Sequence, residues 1–169
     1  MQVPTDYEHA IERKYPEAVA VAIAKDERGR YNPITLCWVM RTSLEPPMLA
    51  ISIGLQRHSL TAIRGAGAFV VAIASTTLHD DALYFGTTSG RDADKLAARQ
   101  TKTQPAAAID SVLLADAVAN FECRLEGEFK TGDHVIFCGR VLAAHVNDDP
   151  TVRALYYLGN DQFGGVIPG

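Results

Sequence analysis

Between residues 119 and 129 the sequence alternates apolar and polar residues with a period of two. The odd positions hold Ala, Phe, Cys, Leu, Gly and Phe, and the even positions hold Asn, Glu, Arg, Glu and Glu. This alternation predicts a long β-strand with one buried face and one face in water. Residues 130–133 have turn chemistry, so residues 134–146 are predicted to run back as the antiparallel partner strand. A chain that pairs two strands of this length is constrained to a sheet-based fold.

Shorter apolar runs separated by turn residues predict further elements. Strands are expected at residues 18–24, 35–40, 48–53 and 69–74. The first run is apolar throughout, which predicts burial on both faces. A turn at Pro46-Pro47 joins the second and third runs. Short helices are predicted at residues 7–15 and 59–64, the second with Ser59 as its N-cap, and residues 26–33 are predicted to form a polar loop.

Residues 76–110 are polar and helix-prone, with Gly86, Gly90 and Pro105 as breaks. We interpret them as an excursion of short helices and loops inside one domain that spans residues 1–169. Six or seven strands and few long helices predict a mainly β protein with short helices, built as a closed antiparallel barrel.

The composition narrows the possible partners. The net charge is -4 and the pI is about 5.7, which disfavours nucleic acid as a partner. No apolar run approaches the ~20 residues that cross a bilayer, so no membrane partner is expected. Cys37, Cys123 and Cys138 are an odd number in apolar runs, which predicts reduced thiols in the cytoplasm. Residues 1–15 lack the features of a signal peptide. The histidines are not clustered at the spacing of metal ligands, so no metal site is predicted.

Residues 32–59 place polar groups at the ends of two apolar strands. Thr35 and nearby backbone groups could meet the polar edge of a planar ring. Arg57, Ser59 and the N-terminus of the following helix could meet a phosphate, because Arg, a hydroxyl and helix amides are the donors that anions prefer. Together they predict a site for a planar, anionic cofactor.

Four segments in this order resemble the flavin reductase-like family of FMN-binding split barrels, over residues 15–165. The first is the Asn32-Pro33-Ile34-Thr35 strand followed by the Pro-Pro turn, and the second is Arg57-His58-Ser59. The others are Gly86-Thr87-Thr88-Ser89-Gly90-Arg91-Asp92-Ala93-Asp94-Lys95 and Gly132-Asp133-His134-Val135. The Ser-Gly-Arg-Asp-x-Asp-Lys run and Trp38 look most like the flavoredoxin branch.

The resemblance implies a homodimer that holds FMN between its subunits and accepts hydride from NADH or NADPH. The electrons would pass to free flavin or to a partner protein. His134 would approach the flavin or the nicotinamide as a catalytic residue. The implied cofactor-binding residues are Thr35, Leu36, Cys37, Trp38, Ser52, Gly54, Arg57, Ser59, Ser89, Arg91 and Lys95.

Each of these residues also has a purely structural interpretation. Thr35 and Trp38 could pack a core, Arg57 and Ser59 could belong to a surface loop and an N-cap, and His134 could end a strand in water. At the level of function, the alternative is a non-catalytic FMN protein that transfers electrons or stores cofactor. A barrel that has lost its cofactor is a third hypothesis, suggested by Ala72, where many family members carry asparagine.

Overall fold

The computed structural model describes residues 1–165, and within them the chain is mostly β-sheet with a few short helices, as predicted. The predicted single domain also includes residues 166–169, which lie outside the described residues. The helices are α1 (Tyr7–Ile11), α2 (His58–Ala66), α3 (His79–Thr87) and α4 (Lys95–Arg99), with 3-10 turns at Glu12–Lys14 and Thr76–Leu78. None of the helices in residues 1–165 has the length and apolar character needed to cross a membrane.

The strands form three antiparallel sheets. The strands are β1 (Glu17–Ala18), β2 (Ala20–Lys25), β3 (Tyr31–Leu36), β4 (Val39–Ser43), β5 (Met48–Gly54), β6 (Ala68–Ile73), β7 (Thr103–Pro105), β8 (Val112–Leu114), β9 (Ala119–Thr131), β10 (His134–Val146), β11 (Leu155–Gly159) and β12 (Gln162–Gly165). The main sheet has seven strands in the order β3-β2-β6-β9-β10-β5-β4. Two small sheets, β1-β11-β12 and β7-β8, flank it.

The core lies on both faces of β2, which explains why its sequence is apolar throughout. Val19, Val21 and Ile23 belong to one buried cluster, which also contains Phe85 of α3. The intervening alanines of β2 belong to a second cluster, inside the barrel, with residues of α2, β5 and β10. The predicted burial of this run on both faces is therefore confirmed.

The predicted strand at residues 35–40 is wrong as a single element. β3 ends at Leu36 and β4 begins at Val39, so the strand breaks at Cys37 and Trp38. The reason is topological, because β3 pairs only with β2 whereas β4 pairs only with β5 at the other edge of the sheet. Both runs are apolar, and their periodicity cannot reveal that they have different partners.

Other predicted boundaries also shift. The N-terminal helix ends in a 3-10 turn rather than continuing to residue 15, and the predicted 26–33 loop is shorter because β3 already begins at Tyr31. Helix α2 begins at His58 with Arg57 at the N-cap position, so the predicted N-cap role of Ser59 is wrong. The long pair β9 and β10 is confirmed, and residues 76–110 form short helices, loops and the additional strand β7.

Two glycines in the β9–β10 ribbon provide a test of packing in the barrel. A Cβ at Gly139 would lie 2.7 Å from Phe69 and 2.8 Å from Cys123, whereas a Cβ at Gly127 would have no neighbour within 4 Å. We expect Gly139→Ala to lower the free energy of unfolding by about 1–3 kcal/mol, since a filled core has no room for a methyl group. Gly127→Ala is the matched control and should change it by less than about 1 kcal/mol. Urea unfolding monitored by circular dichroism measures both, and equal values would contradict the packing.

Candidate functional site

A groove opens where the two edges of the main sheet approach each other. Cys37 and Trp38 carry the chain from β3 to β4, and the Trp38 carbonyl accepts a hydrogen bond from the Ser52 N–H at 3.0 Å. Between the end of β3 and the end of β5 the structure leaves a cavity of about 170 Å³. It is lined by Ile34, Thr35, Leu36, Cys37, Trp38, Ser52, Ile53, Gly54, Arg57 and His134.

Trp38 and His134 form one wall of this groove. Their ring centroids lie 4.7 Å apart with the planes tilted by 46°, and Trp38 is 53% exposed. The His134 Nδ1 atom lies 2.7 Å from the Asp133 carboxylate, which turns the Nε2 edge of the ring toward Gly54. The wall therefore combines an accessible aromatic face with an imidazole nitrogen that has no hydrogen-bond partner among residues 1–165.

The hydroxyl of Thr35 is already used within the protein. Its Oγ1 donates to the Ala82 carbonyl of α3 at 2.7 Å, so the side chain ties β3 to α3. If this region meets the edge of a ring, as the sequence predicts, its backbone groups rather than the Thr35 hydroxyl would make the contact. Cys37 contributes a neutral thiol, since burial raises its pKa to about 11.

A second cavity of about 130 Å³ adjoins the groove and collects positive charge. Arg57, Arg91 and Lys95 line it, and within residues 1–165 none of the three forms a salt bridge. Their only side-chain hydrogen bonds go to backbone carbonyls: Arg57 to Gly86 and Arg91 to Gln56 at 3.4 Å, and Lys95 to Phe85 at 3.0 Å. None of the residues that line this cavity is a carboxylate, and three cations around one small cavity favour an anion there, so we call it the anion cavity.

Lys95 is the most deeply placed of these cations. Only 3% of the residue is exposed. Burial lowers the pKa of its ammonium group, and the nearby Arg57 charge lowers it further, to about 8. The charged form is therefore destabilised in the free protein, and an anion in the cavity would offset both causes.

The two predicted serines lie at the same cavity but differ in their bonding. Ser59 is buried, and its Oγ accepts a hydrogen bond from the Asn32 side chain at 2.8 Å. Ser89 Oγ accepts from the Arg91 backbone N–H at 3.2 Å and so shapes the loop before α4. The first turn of α2 also borders this cavity, and its N–H groups favour an anion there.

The structure brings all of the sequence-predicted site residues to these two adjoining cavities. Eight of them line the groove: Thr35, Leu36, Cys37, Trp38, Ser52, Gly54, Arg57 and His134. Arg57 also lines the anion cavity, together with Ser59, Ser89, Arg91 and Lys95. Because Ile34 and Arg57 border both cavities, a single ligand could occupy the two together.

Several lining residues were not singled out from the sequence. They are Ile34, Ile53, Gln56, His58, Phe85, Thr87, Thr88 and Gly90. Thr87, Thr88 and Gly90 stand inside the Gly86-to-Lys95 segment, and His58 stands between Arg57 and Ser59, so the motifs themselves pointed to them. Ile34 stands inside the Asn32-to-Thr35 segment, whereas Ile53 and Phe85 carry no such signal. Ala72 is fully buried in the core and lines neither cavity.

Comparison with known proteins places the chain in a family. A family model described as flavin reductase like domain matches residues 12–165. An NADH-dependent FMN reductase, AsuE2 of Streptomyces nodosus subsp. asukaensis, is 35% identical over 77% of this chain and 69% of its own length. The chain spans 73%, 64% and 69% of the lengths of three curated relatives that it matches.

Solved structures agree in fold. An FMN-binding protein from Thermus thermophilus superimposes with a TM-score of 0.81 at 26% identity, covering 98% of this chain and 93% of that one. A flavoredoxin from Methanosarcina acetivorans gives a TM-score of 0.87 at 20% identity, covering 100% and 93%. The predicted split-barrel fold is thus confirmed, and the match over residues 12–165 shows that this chain belongs to the flavin reductase like domain family.

Proposed function

We propose that this protein is a flavin reductase that uses FMN as its cofactor and NADH or NADPH as its donor. The observation that carries the proposal is the anion cavity, where Arg57, Arg91 and Lys95 have no carboxylate partner among the described residues and which adjoins a groove of about 170 Å³. The groove and the cavity match the two chemical parts of FMN, a planar ring and a phosphate. The relative AsuE2, named an NADH-dependent FMN reductase, supports the same class of reaction.

Different residues would hold the phosphate and the ring of the cofactor. Arg57, Arg91, Lys95 and the first turn of α2 would bind the phosphate, since a doubly charged group needs several donors in a partly dry site. Backbone groups of residues 35–38 would face the ring, with Trp38 in the wall beside its open side. When bound, FMN supplies the redox chemistry, accepting electrons from the nicotinamide and passing them to free flavin or to a partner protein.

The open side of the groove suits an electron donor that binds transiently. Trp38 is half exposed, and His134 offers Nε2 because its Nδ1 faces Asp133. These two side chains would orient the nicotinamide over the ring and limit the access of water. Gly65-Ala66-Gly67-Ala68 precedes a strand and lacks the third glycine of a dinucleotide fingerprint, which supports transient donor binding at the groove itself.

A homodimer is part of this proposal. The register of β4, β5, β10 and β9 puts Met40, Ile136 and Phe129 on the outer face of the sheet. Met40 is 57% exposed and Phe129 is 69% exposed. The same face carries Ser52 and His134 of the groove, so a second copy packed on it would cover the apolar residues and border the cofactor. The three free thiols fit a reducing cytoplasm, where we propose that the protein acts.

The direct test is anaerobic mixing of the FMN-loaded protein with NADH and separately with NADPH. We expect loss of the flavin absorbance in the visible range with at least one donor. Fluorescence of Trp38, the only tryptophan of the chain, should fall when FMN is added, because the ring would lie against it. Protein that leaves both signals unchanged would contradict the proposal.

The same experiment separates the alternative function. A non-catalytic electron-transfer or cofactor-storage protein would bind FMN and quench Trp38, yet the flavin would stay oxidised with both donors. Quenching without loss of visible absorbance would therefore favour that alternative over the reductase.

The role of His134 can be separated from cofactor binding. We expect His134→Gln to slow donor-dependent flavin reduction by about tenfold or more, because the imidazole helps to orient the donor. The affinity for FMN should stay within about threefold. His79 is the matched control, since its Nδ1 also lies 2.8 Å from the carboxylate of the next residue, Asp80, and it borders neither cavity. If His79→Gln and His134→Gln slow reduction equally, His134 has no special place at the site.

Lys95 predicts how FMN affinity depends on pH. With a pKa of about 8 in the free protein, Lys95 is charged below that pH and neutral above it, so binding of the phosphate must then restore the proton. We expect the FMN dissociation constant to be flat up to about pH 8 and to rise by up to about tenfold per pH unit above it. Isothermal titration or flavin fluorescence between pH 7 and about pH 9.5 measures this.

Two controls isolate the contribution of this lysine. Lys95→Met should bind FMN more weakly at neutral pH and without the rise above pH 8. Riboflavin, which lacks the phosphate, should show no such rise in the unaltered protein. A rise that survives in Lys95→Met would assign the titration to another group.

A further inference from the structure

A network of paired charges lies directly behind the anion cavity, in the turn between β2 and β3. The Asp26 carboxylate accepts hydrogen bonds from the Arg28 and Arg30 backbone N–H groups at 3.0 and 2.9 Å. It also accepts from Arg30 Nε and Nη2 at 3.2 and 2.9 Å. His58 Nε2 lies 3.5 Å from the same carboxylate. The Asp26 side chain is 1% exposed, so this turn is held by a buried, fully occupied carboxylate.

The hydrogen bonds of Asp26 keep it charged. Burial alone would raise the pKa of the carboxyl, but the backbone and side-chain donors of Arg30, with His58, outweigh it and hold the pKa below its usual value. Asp26 is therefore an anion at neutral pH, and it fixes the direction of the Arg30 guanidinium.

The same turn reaches across to the loop that borders the anion cavity. Arg30 Nη2 donates to the Gly90 carbonyl at 2.5 Å, and Arg28 Nη1 donates to the Arg91 carbonyl at 3.0 Å. One guanidinium nitrogen thus joins the Asp26 carboxylate to the backbone of Gly90. Neither Asp26 nor Arg30 lines the anion cavity or the groove.

The loop of residues 89–91 also packs closely against Asn32 and His58. A Cβ at Gly90 would overlap the Asn32 side chain and would lie 2.9 Å from His58 Cδ2. The backbone at this position can therefore approach Asn32 and His58 only as glycine. Asn32 in turn donates to Ser59 at the start of α2. The contacts with Asn32 and His58 consequently fix the position of residues 89–91 relative to α2.

We propose that Asp26 and Arg30 act as a strut that positions the loop of residues 89–91 for recognition of the cofactor's phosphate. The proposal rests on the proposed function, since it assigns these residues to the phosphate end of an FMN site. The strut touches no ligand. It holds the Gly90 carbonyl, and with it the Arg91 side chain and the Ser89 turn, at the rim of the cavity.

A comparison of FMN with riboflavin tests the strut, because riboflavin has the same ring and no phosphate. We expect Asp26→Asn to weaken FMN binding by about tenfold, the lower end of the loss seen when residues that support metal ligands are changed. Riboflavin affinity should change by less than about twofold. Flavin fluorescence titration at pH 7 gives both constants, and retained riboflavin binding shows that the barrel is folded.

The sign of this change separates positioning from simple charge. Removing an acidic charge behind an anion site would strengthen FMN binding if only the electrostatic potential mattered. The strut predicts the opposite, a weakening. Unchanged or tighter FMN binding by Asp26→Asn would overturn the proposal.

Arg30→Lys provides a second, independent variant. It keeps the positive charge but cannot make the three side-chain hydrogen bonds that Arg30 makes to Asp26 and Gly90. We expect it to lose FMN affinity about as much as Asp26→Asn does, and full retention would overturn the strut. Arg64→Lys is the matched control, because Arg64 makes a similar forked pair with Glu128 at 2.9 and 2.7 Å and lines neither cavity.

Failure of the strut and failure of the proposed function give different results. If the unaltered protein binds neither flavin, the proposed function itself is contradicted and the strut with it. If the unaltered protein binds FMN more tightly than riboflavin but both variants do so equally well, the flavin site stands and the strut is wrong.

Discussion

The hydrogen bond from the Ser52 N–H to the Trp38 carbonyl marks the place where the barrel nearly closes. On one side of it the chain pairs with β2, and on the other side it pairs with β5. A barrel that closed fully would fill this seam with ladder hydrogen bonds. Here the chain crosses the seam within Cys37 and Trp38, and a groove remains beside the crossing. The break in the strand is thus the feature that leaves the groove open, where the proposed planar ligand would lie.

Charged side chains lie on both sides of the loop of residues 89–91, behind it and at the anion cavity in front of it. Behind it, Asp26 and Arg30 neutralise each other, and Arg30 also donates a hydrogen bond to the backbone carbonyl of Gly90. In front of it, Arg57 and Lys95 face a common cavity, and burial together with the nearby Arg57 charge lowers the pKa of Lys95. Asp26 and Arg30 thus add rigidity with no net charge between them. The attraction for an anion comes from cations that form no salt bridge within residues 1–165, namely Arg57, Arg91 and Lys95 at the cavity and Arg28 behind the loop.

Local patterns predicted most of the fold, because each strand shows its burial in its own residues. Residues 18–24 and 119–129 are examples, one apolar on both faces and one alternating. The break at Cys37 and the position of Ser59 were missed, since both depend on distant partners, β5 and Asn32. The site residues were found as separate motifs. Their convergence, and the strut formed by Asp26 and Arg30, depend on tertiary contacts that no single segment contains.

Lys95 and Trp38 differ in burial at the two ends of the proposed ligand, and the open ring end suits a reductase better than a storage protein. At the phosphate end Lys95 is almost completely buried, and binding there stabilises only the folded state. At the ring end Trp38 is half exposed and His134 borders an open groove. A ligand fixed at one end and accessible at the other can meet successive partners without leaving. A storage protein would gain from enclosing the ring, whereas an electron donor and then an acceptor must both reach it.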